Sequence, residues 1–149
     1  MAAASISPLL DTVIKEGGSD LHLSVGSHPI VRVSGSLVPL VQEPILTKEA
    51  TEAMLKEILP DGRWEVFTRD QAVDFSHSHD DKNRFRVNGY VVQGSVMVAL
   101  RLIPRDIRTF TDLNLPPVLE VFTQRTQGFF LVVGPVGQGK STTLAAIID

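Results

Sequence analysis

Residues 134–141 read GPVGQGKS, and this GxxxxGKS pattern constrains the fold more than any other stretch of the 149-residue chain. It is preceded by an unbroken apolar run at 129–133 (FFLVV) and followed by STTLAAII at 141–148. The run is the pattern of a central parallel strand covered on both faces, and the segment after the loop reads as the start of a helix. Gly134, Gly137 and Gly139 free the backbone so that successive N–H groups can converge on a phosphate chain with no side chain in the way. Lys140 then reaches the β- and γ-phosphates, the Ser141 hydroxyl holds Mg²⁺, and the helix N-terminus adds a partial positive charge. The competing reading is a chance glycine-rich turn. Four specified positions arise by accident on the order of once in a hundred chains of this length or less, and the flanking strand and helix patterns lower that further. The expected nucleotide-binding set is Gly134, Pro135, Val136, Gly137, Gln138, Gly139, Lys140, Ser141 and Thr142, with ATP and Mg²⁺ as cofactors.

Four segments together resemble the secretion and type IV pilus ATPases, the hexameric motors that include the PilT-type pilus retraction proteins. They are GPVGQGKSTTLAAIID at the end of the chain, SDLHLS at 19–24, RFRVN at 84–88 and LRLIP at 100–104. The last two are far more specific than the loop, which many unrelated NTPases share. Val136 and Gln138 stand where the family more often has Thr and Ser, both at variable positions of the loop. The resemblance implies a PAS-like first domain, an ATP-driven motor for pilus retraction and twitching motility, self-assembly into a hexamer, and an inner-membrane pilus platform protein as partner. Pilus extension, type II secretion and a non-catalytic assembly module are alternatives within that family.

Composition sets the outer bounds. With 43% apolar and 21% charged residues the chain has the balance of a globular protein that can bury a core. A net charge of −3 leaves no basic footprint, which argues against nucleic acid as a partner. No apolar run approaches the ~20 residues that span a bilayer, and MAAASISPLL lacks the charged start of a signal peptide. The absence of cysteine excludes disulfides and thiolate metal sites. The expectation is a cytoplasmic protein that meets the inner membrane through partners.

Along the chain, residues 6–15 carry a helical apolar stripe closed by Gly17 and Gly18. Alternation at 21–25, 30–33 and 37–41 predicts a small antiparallel meander. Residues 47–59 open on a helix-start pattern at Thr47 and stop at Pro60, and a second helix is expected over 60–68. Strands follow at 72–76, 83–92 and 95–103, the last two joined by Gln93 and Gly94 as a two-residue turn. Trp64 and Phe67 lie at helical spacing and read as core.

That turn fixes a register. Opposed residues sum to 187, so Arg86 faces Arg101 and Arg84 lies two positions along on the same face. Like charges directly opposed on a sheet are destabilising, which makes sense if something anionic sits between them. One reading is the γ-phosphate of a nucleotide, whose stabilisation by an arginine is worth about 10³ to 10⁵ in rate. The other is ordinary ion pairing with Asp70, Asp74 or Asp80, each pair worth ~0–1 kcal/mol. The family resemblance favours the first, because arginines of these strands approach the nucleotide there, and adds Arg84, Arg86 and Arg101 to Lys140 as catalytic candidates.

His77, His79, Asp80 and Asp81 have the composition of a metal site, but no third distant ligand is evident and DDKN is turn chemistry, so 77–81 reads as a polar hairpin turn. His22 reads as a hydrogen-bonded surface histidine. Residues 104–110 (PRDIRTF) read as a linker, and 111–121 as the start of a second domain with a helix near 117–124. The fold expected is α/β, with an α+β PAS-like domain at 1–103, a linker at 104–110 and the truncated start of a RecA-like P-loop domain at 111–149. The acidic motor motifs are expected beyond Asp149, so the 149-residue piece alone is expected to be inactive. A kinase or GTPase would use the same loop.

Overall fold

The first helix, α1 (Ser7–Lys15), turns Leu9, Leu10 and Val13 inward, with Pro8 in its first turn where a missing N–H costs nothing. Its N-terminal end is held from a distant part of the chain. The Glu57 carboxylate accepts from the Ile6 N–H at 3.0 Å and from the Ser5 hydroxyl at 2.9 Å. Left-handed Gly17 (φ +62°) ends the helix and leads into β1 (Gly18–Leu23). In this computed structural model residues 5–103, 109–135 and 138–148 are described, and the chain divides into two units, Met1–Ile103 and Pro104–Asp149.

In the first unit β1 is followed by β2 (Ile30–Val33), β3 (Ser36–Pro39), α2 (Lys48–Ile58), α3 (Arg63–Asp70), β4 (Ala72–Ser78), β5 (Arg84–Val92) and β6 (Ser95–Ile103). The strands form one antiparallel sheet in the order β3-β2-β1-β6-β5-β4. The meander and the hairpin strands, which the sequence left as separate groups, are thus joined by the pairing of β1 with β6. Gln93 (φ +50°) and Gly94 (φ +71°) make the β5–β6 turn, both in the left-handed region that a two-residue type I′ turn requires.

Period-2 alternation gives the sheet two faces. Leu21, Leu23, Val31, Phe85, Val87, Val98 and Leu100 are all at most 1% exposed and meet Leu10 and Val13 of α1 and Leu55 of α2 in one core. Each such side chain contributes roughly 1.5–3 kcal/mol by leaving water. The Thr47 side chain caps α2 by accepting from the Ala50 N–H at 3.2 Å, as its helix-start pattern predicts. Helix α3 starts later than the expected 60–68, because left-handed Gly62 (φ +75°) turns the chain just before it. Phe67 is buried, whereas Trp64 is half-buried beneath the Lys56 ammonium, 4.1 Å from the ring centroid.

Strand β4 is also longer than expected: His77 and Ser78 pair with Phe85 and Arg84 rather than forming the turn. The turn lies just beyond. The Asp80 carboxylate accepts from the Lys82 and Asn83 N–H groups at 2.7 and 2.6 Å. His77 and His79 do share a face, with ring centroids 6.5 Å apart, but His79 is engaged by Asp11 at 2.7 Å. No cluster of metal-ligating residues occurs among the described residues.

The second unit contains a 3₁₀ turn at Pro117–Leu119 running into α4 (Glu120–Thr123), and α5 (Lys140–Ile148). The expected buried strand at 129–133 is not formed: Phe129, Leu131 and Val133 are 88%, 65% and 75% exposed. A strand is stable as part of a ladder, and the described residues of this unit include no other strand to pair with it. Phe130 stacks instead on Phe122, ring centroids 4.7 Å apart. The segment expected as a linker falls largely at residues 104–108, outside the described residues.

Candidate nucleotide loop and the arginine face

Helix α5 opens at Lys140, one residue earlier than its apolar pattern suggests. Gly139 precedes it at φ +78°, a conformation that favours glycine, and its carbonyl accepts from the Thr143 N–H at 2.9 Å as the first helical bond. The Lys140 side chain folds back along the loop, its ammonium donating to the Pro135 carbonyl at 2.5 Å. The loop therefore curls tightly enough for the first helical side chain to return to its beginning. A neutral carbonyl is a weaker partner for an ammonium than a phosphate oxygen, so this bond is exchangeable for a charge-assisted one. Gly134, Pro135, Gln138, Ser141 and Thr142 are exposed; Val136 and Gly137 lie outside the described residues.

In the first unit the sheet face away from the helices carries the arginines. The register is as the turn predicted: Arg86 is paired with Arg101, and Arg84 with Ile103. What the sequence did not reveal is how their charge is balanced. Arg86 is held side-on by Asp74, with Nη2 at 2.7 Å from Oδ2 and Nε at 3.2 Å from Oδ1, an exposed pair of the ordinary kind. This pair lowers the Asp74 carboxyl below its usual pKa and raises the Arg86 guanidinium. Asp70 binds its neighbour Arg69 and Asp80 its own turn, so neither plays the part expected of it here. Arg84 makes no ion pair among the described residues.

Arg101 has a different partner. Its Nε donates to Asp20 Oδ1 at 2.8 Å, while Arg32 Nε approaches Oδ2 at 3.3 Å and the Ser19 hydroxyl donates to Oδ2 at 2.7 Å. The Asp20 side chain is 8% exposed and that of Arg101 73%. Burial by itself would push the Asp20 carboxyl up. Hydrogen bonds from Arg101 and Ser19, together with the charges of Arg101 and Arg32, outweigh it and hold the group below the ordinary carboxylate value. The repulsion expected between Arg86 and Arg101 is thus offset by a separate carboxylate for each. Asp20 follows Ser19 in SDLHLS and shares the polar parity of β1 with His22, so the alternation alone gave no signal that it forms a buried ion pair. His22, on the same face, is not the hydrogen-bonded histidine expected: its Nε2 is buried without a partner among the described residues.

No family model matches the chain. Known proteins do. The chain is 36% identical over 144 residues to the type IV pilus retraction ATPase PilT of Pseudomonas aeruginosa, covering 97% of the chain and 42% of that protein. It is 31% identical to the type IV pilus ATPase PilU of the same organism, over 94% of the chain and 36% of PilU. A crystal structure of the pilus retraction motor PilT with bound ADP has a TM-score of 0.81 at 34% identity, over 97% of the chain and 42% of its own length. The ATPase DotB of Legionella pneumophila, 22% identical over 96% of the chain and 41% of its own, shares the fold with a TM-score of 0.78. The chain spans about two fifths of the length of these relatives.

An α+β sheet domain ahead of a GxxxxGKS loop, matched over nearly its whole length, places the chain among the type IV pilus ATPases. Within that class it belongs with the PilT type, of which it represents the N-terminal portion. No helix among the described residues is long and apolar enough to cross a membrane.

Proposed function

We propose that the full-length protein is an ATP-hydrolysing motor of the pilus retraction kind, with this chain contributing the phosphate loop of a RecA-like domain and a PAS-like first domain. The observation that carries the reading is the match to the retraction ATPase over 97% of the chain, GPVGQGKS included. Gly134, Gly139 and the N-terminal end of α5 supply donors to a phosphate chain, Lys140 the compensating charge and Ser141 a hydroxyl for Mg²⁺. The residues fit that chemistry. Gly139 is already left-handed, and the Lys140 ammonium already reaches back over the loop. When bound, Mg²⁺-ATP supplies the transferable γ-phosphoryl group. Arg101, with its exposed guanidinium, is proposed to meet the terminal phosphate, with Arg84 and Arg86 contributing positive potential on the same face. Assembly as a hexamer on the cytoplasmic side of the inner membrane, against a pilus platform protein, completes the proposal.

The test is a strain lacking the gene, complemented with wild type or Lys140→Ala. A retraction motor predicts cells that still carry pili but do not twitch, rescued by wild type alone. Bald cells would indicate an extension motor instead. Purified full-length Lys140→Ala should lose ATP turnover and keep its melting temperature, because the residue opens α5 and is not part of the hydrophobic core. Normal turnover in that variant would overturn the assignment of the loop.

A further inference from the structure

We propose that Asp20 is the positioning residue of the arginine face, gripping Arg101 and Arg32 by their ε edges so that the Arg101 fork is held ready for an anionic ligand. The proposal rests on the reading of Arg101 as the arginine that meets the terminal phosphate.

The register places Asp20 directly between Arg32 on β2 and Arg101 on β6, and Arg86 next along the same rung. One carboxylate therefore stands among three guanidinium groups. The two arginines nearest the hairpin turn use their donors differently. Arg86 commits Nε and Nη2 to Asp74, so its fork is consumed. Arg101 gives Asp20 only Nε, and neither of its η nitrogens has a partner among the described residues. A guanidinium held at Nε keeps its two terminal nitrogens as a bidentate pair, the geometry that recognises a phosphate.

Burial makes the grip rigid. A carboxylate 8% exposed, with Ser19 and Arg32 also on it, has one arrangement that satisfies both oxygens, and Arg101 is part of it. Arg32 is fixed further by its Nη1 donating to the Gly35 carbonyl at 3.1 Å. Asp20 touches no ligand in this scheme. It acts by removing the rotamer freedom that a long exposed side chain would otherwise lose on meeting the phosphate.

The experiment is a double-mutant cycle on ATP turnover by the full-length protein. Arg101→Ala is expected to lower kcat at least ~10-fold with KM for ATP little changed, and Asp20→Ala to lower it comparably. The double variant should fall no further than Arg101→Ala, because Asp20 acts through Arg101. A normal kcat in Asp20→Ala beside an impaired Arg101→Ala would overturn the positioning role and leave the nucleotide reading of Arg101 standing. So would a double variant whose loss is the product of the two single losses. A normal kcat in Arg101→Ala would overturn the nucleotide reading itself, and the positioning role with it. Should Asp20→Ala fail to fold, Asp20→Asn carries the same cycle, since it keeps the oxygen and shape and drops the charge. A smaller kcat loss that disappears in the Arg101→Ala background is then the expected result, and a loss that persists there refutes the proposal.

Discussion

Replacing Arg101 with Met isolates what the buried carboxylate requires. In the wild type Asp20 receives Arg101 at 2.8 Å, Ser19 at 2.7 Å and Arg32 at 3.3 Å. The substitution keeps most of the apolar stem and removes the closest cation, leaving a nearly buried charge with one longer ion pair and one hydroxyl. A hydrogen bond to a charged group is worth about 1.5–3 kcal/mol. Arg101 is 73% exposed, so water can enter its place and recover part of that. The net loss at pH 7 is therefore expected at about 1–2 kcal/mol, which lowers the melting temperature by about 4–8 °C per kcal/mol in a unit of this size. The pH dependence has a definite sign. The folded Asp20 carboxyl titrates below its unfolded value near 3.9, so its stabilisation is present above that pH and is lost as pH falls through the lower folded value. Circular-dichroism melts of the two chains should accordingly differ at pH 7 and converge as pH falls through the folded Asp20 value, which lies below 3.8. Equal melting temperatures at pH 7, or a gap undiminished in acid, would refute the idea that Arg101 stabilises an ionised, buried Asp20.

Two further expectations follow from the fold. Gly89 on β5 sits against α2, where an added Cβ would lie 3.0 Å from both Leu55 methyl carbons and 3.2 Å from Val73 Cγ1. Gly89→Val should therefore destabilise the first unit by about 1–3 kcal/mol through overpacking, read as a lower urea midpoint, and an unchanged midpoint would mean that Leu55 yields freely. The 149-residue chain by itself should neither hydrolyse ATP nor bind it tightly, because the 129–133 run that leads into the loop is exposed and unpaired among the described residues. Mg²⁺-dependent phosphate release by the pure chain would contradict this.

Local pattern was enough to read much of this protein from its sequence. Strands β5 and β6, the Gln93-Gly94 turn and the facing of Arg86 and Arg101 all follow from a period of two and a turn of two residues, which couple neighbours in sequence. The α2 cap at Thr47 and the start of α5 after Gly139 are legible for the same reason. The apolar run at 129–133 misled because its composition records a strand's preference for burial, whereas burial itself depends on neighbours that the run does not encode. The joining of β1 to β6 is likewise invisible locally, because antiparallel partners far apart in sequence are chosen by the shared core of Leu21, Leu23, Val98 and Leu100. That choice set Asp20 against Arg101, 81 residues away, and determined that, among the described residues, Arg86 spends its Nη2 on a carboxylate whereas Arg101 spends only its Nε. The sequence by itself determined the charges, the faces and the loop chemistry; tertiary structure decided how those charges pair, since pairing depends on distances that only the closed sheet creates.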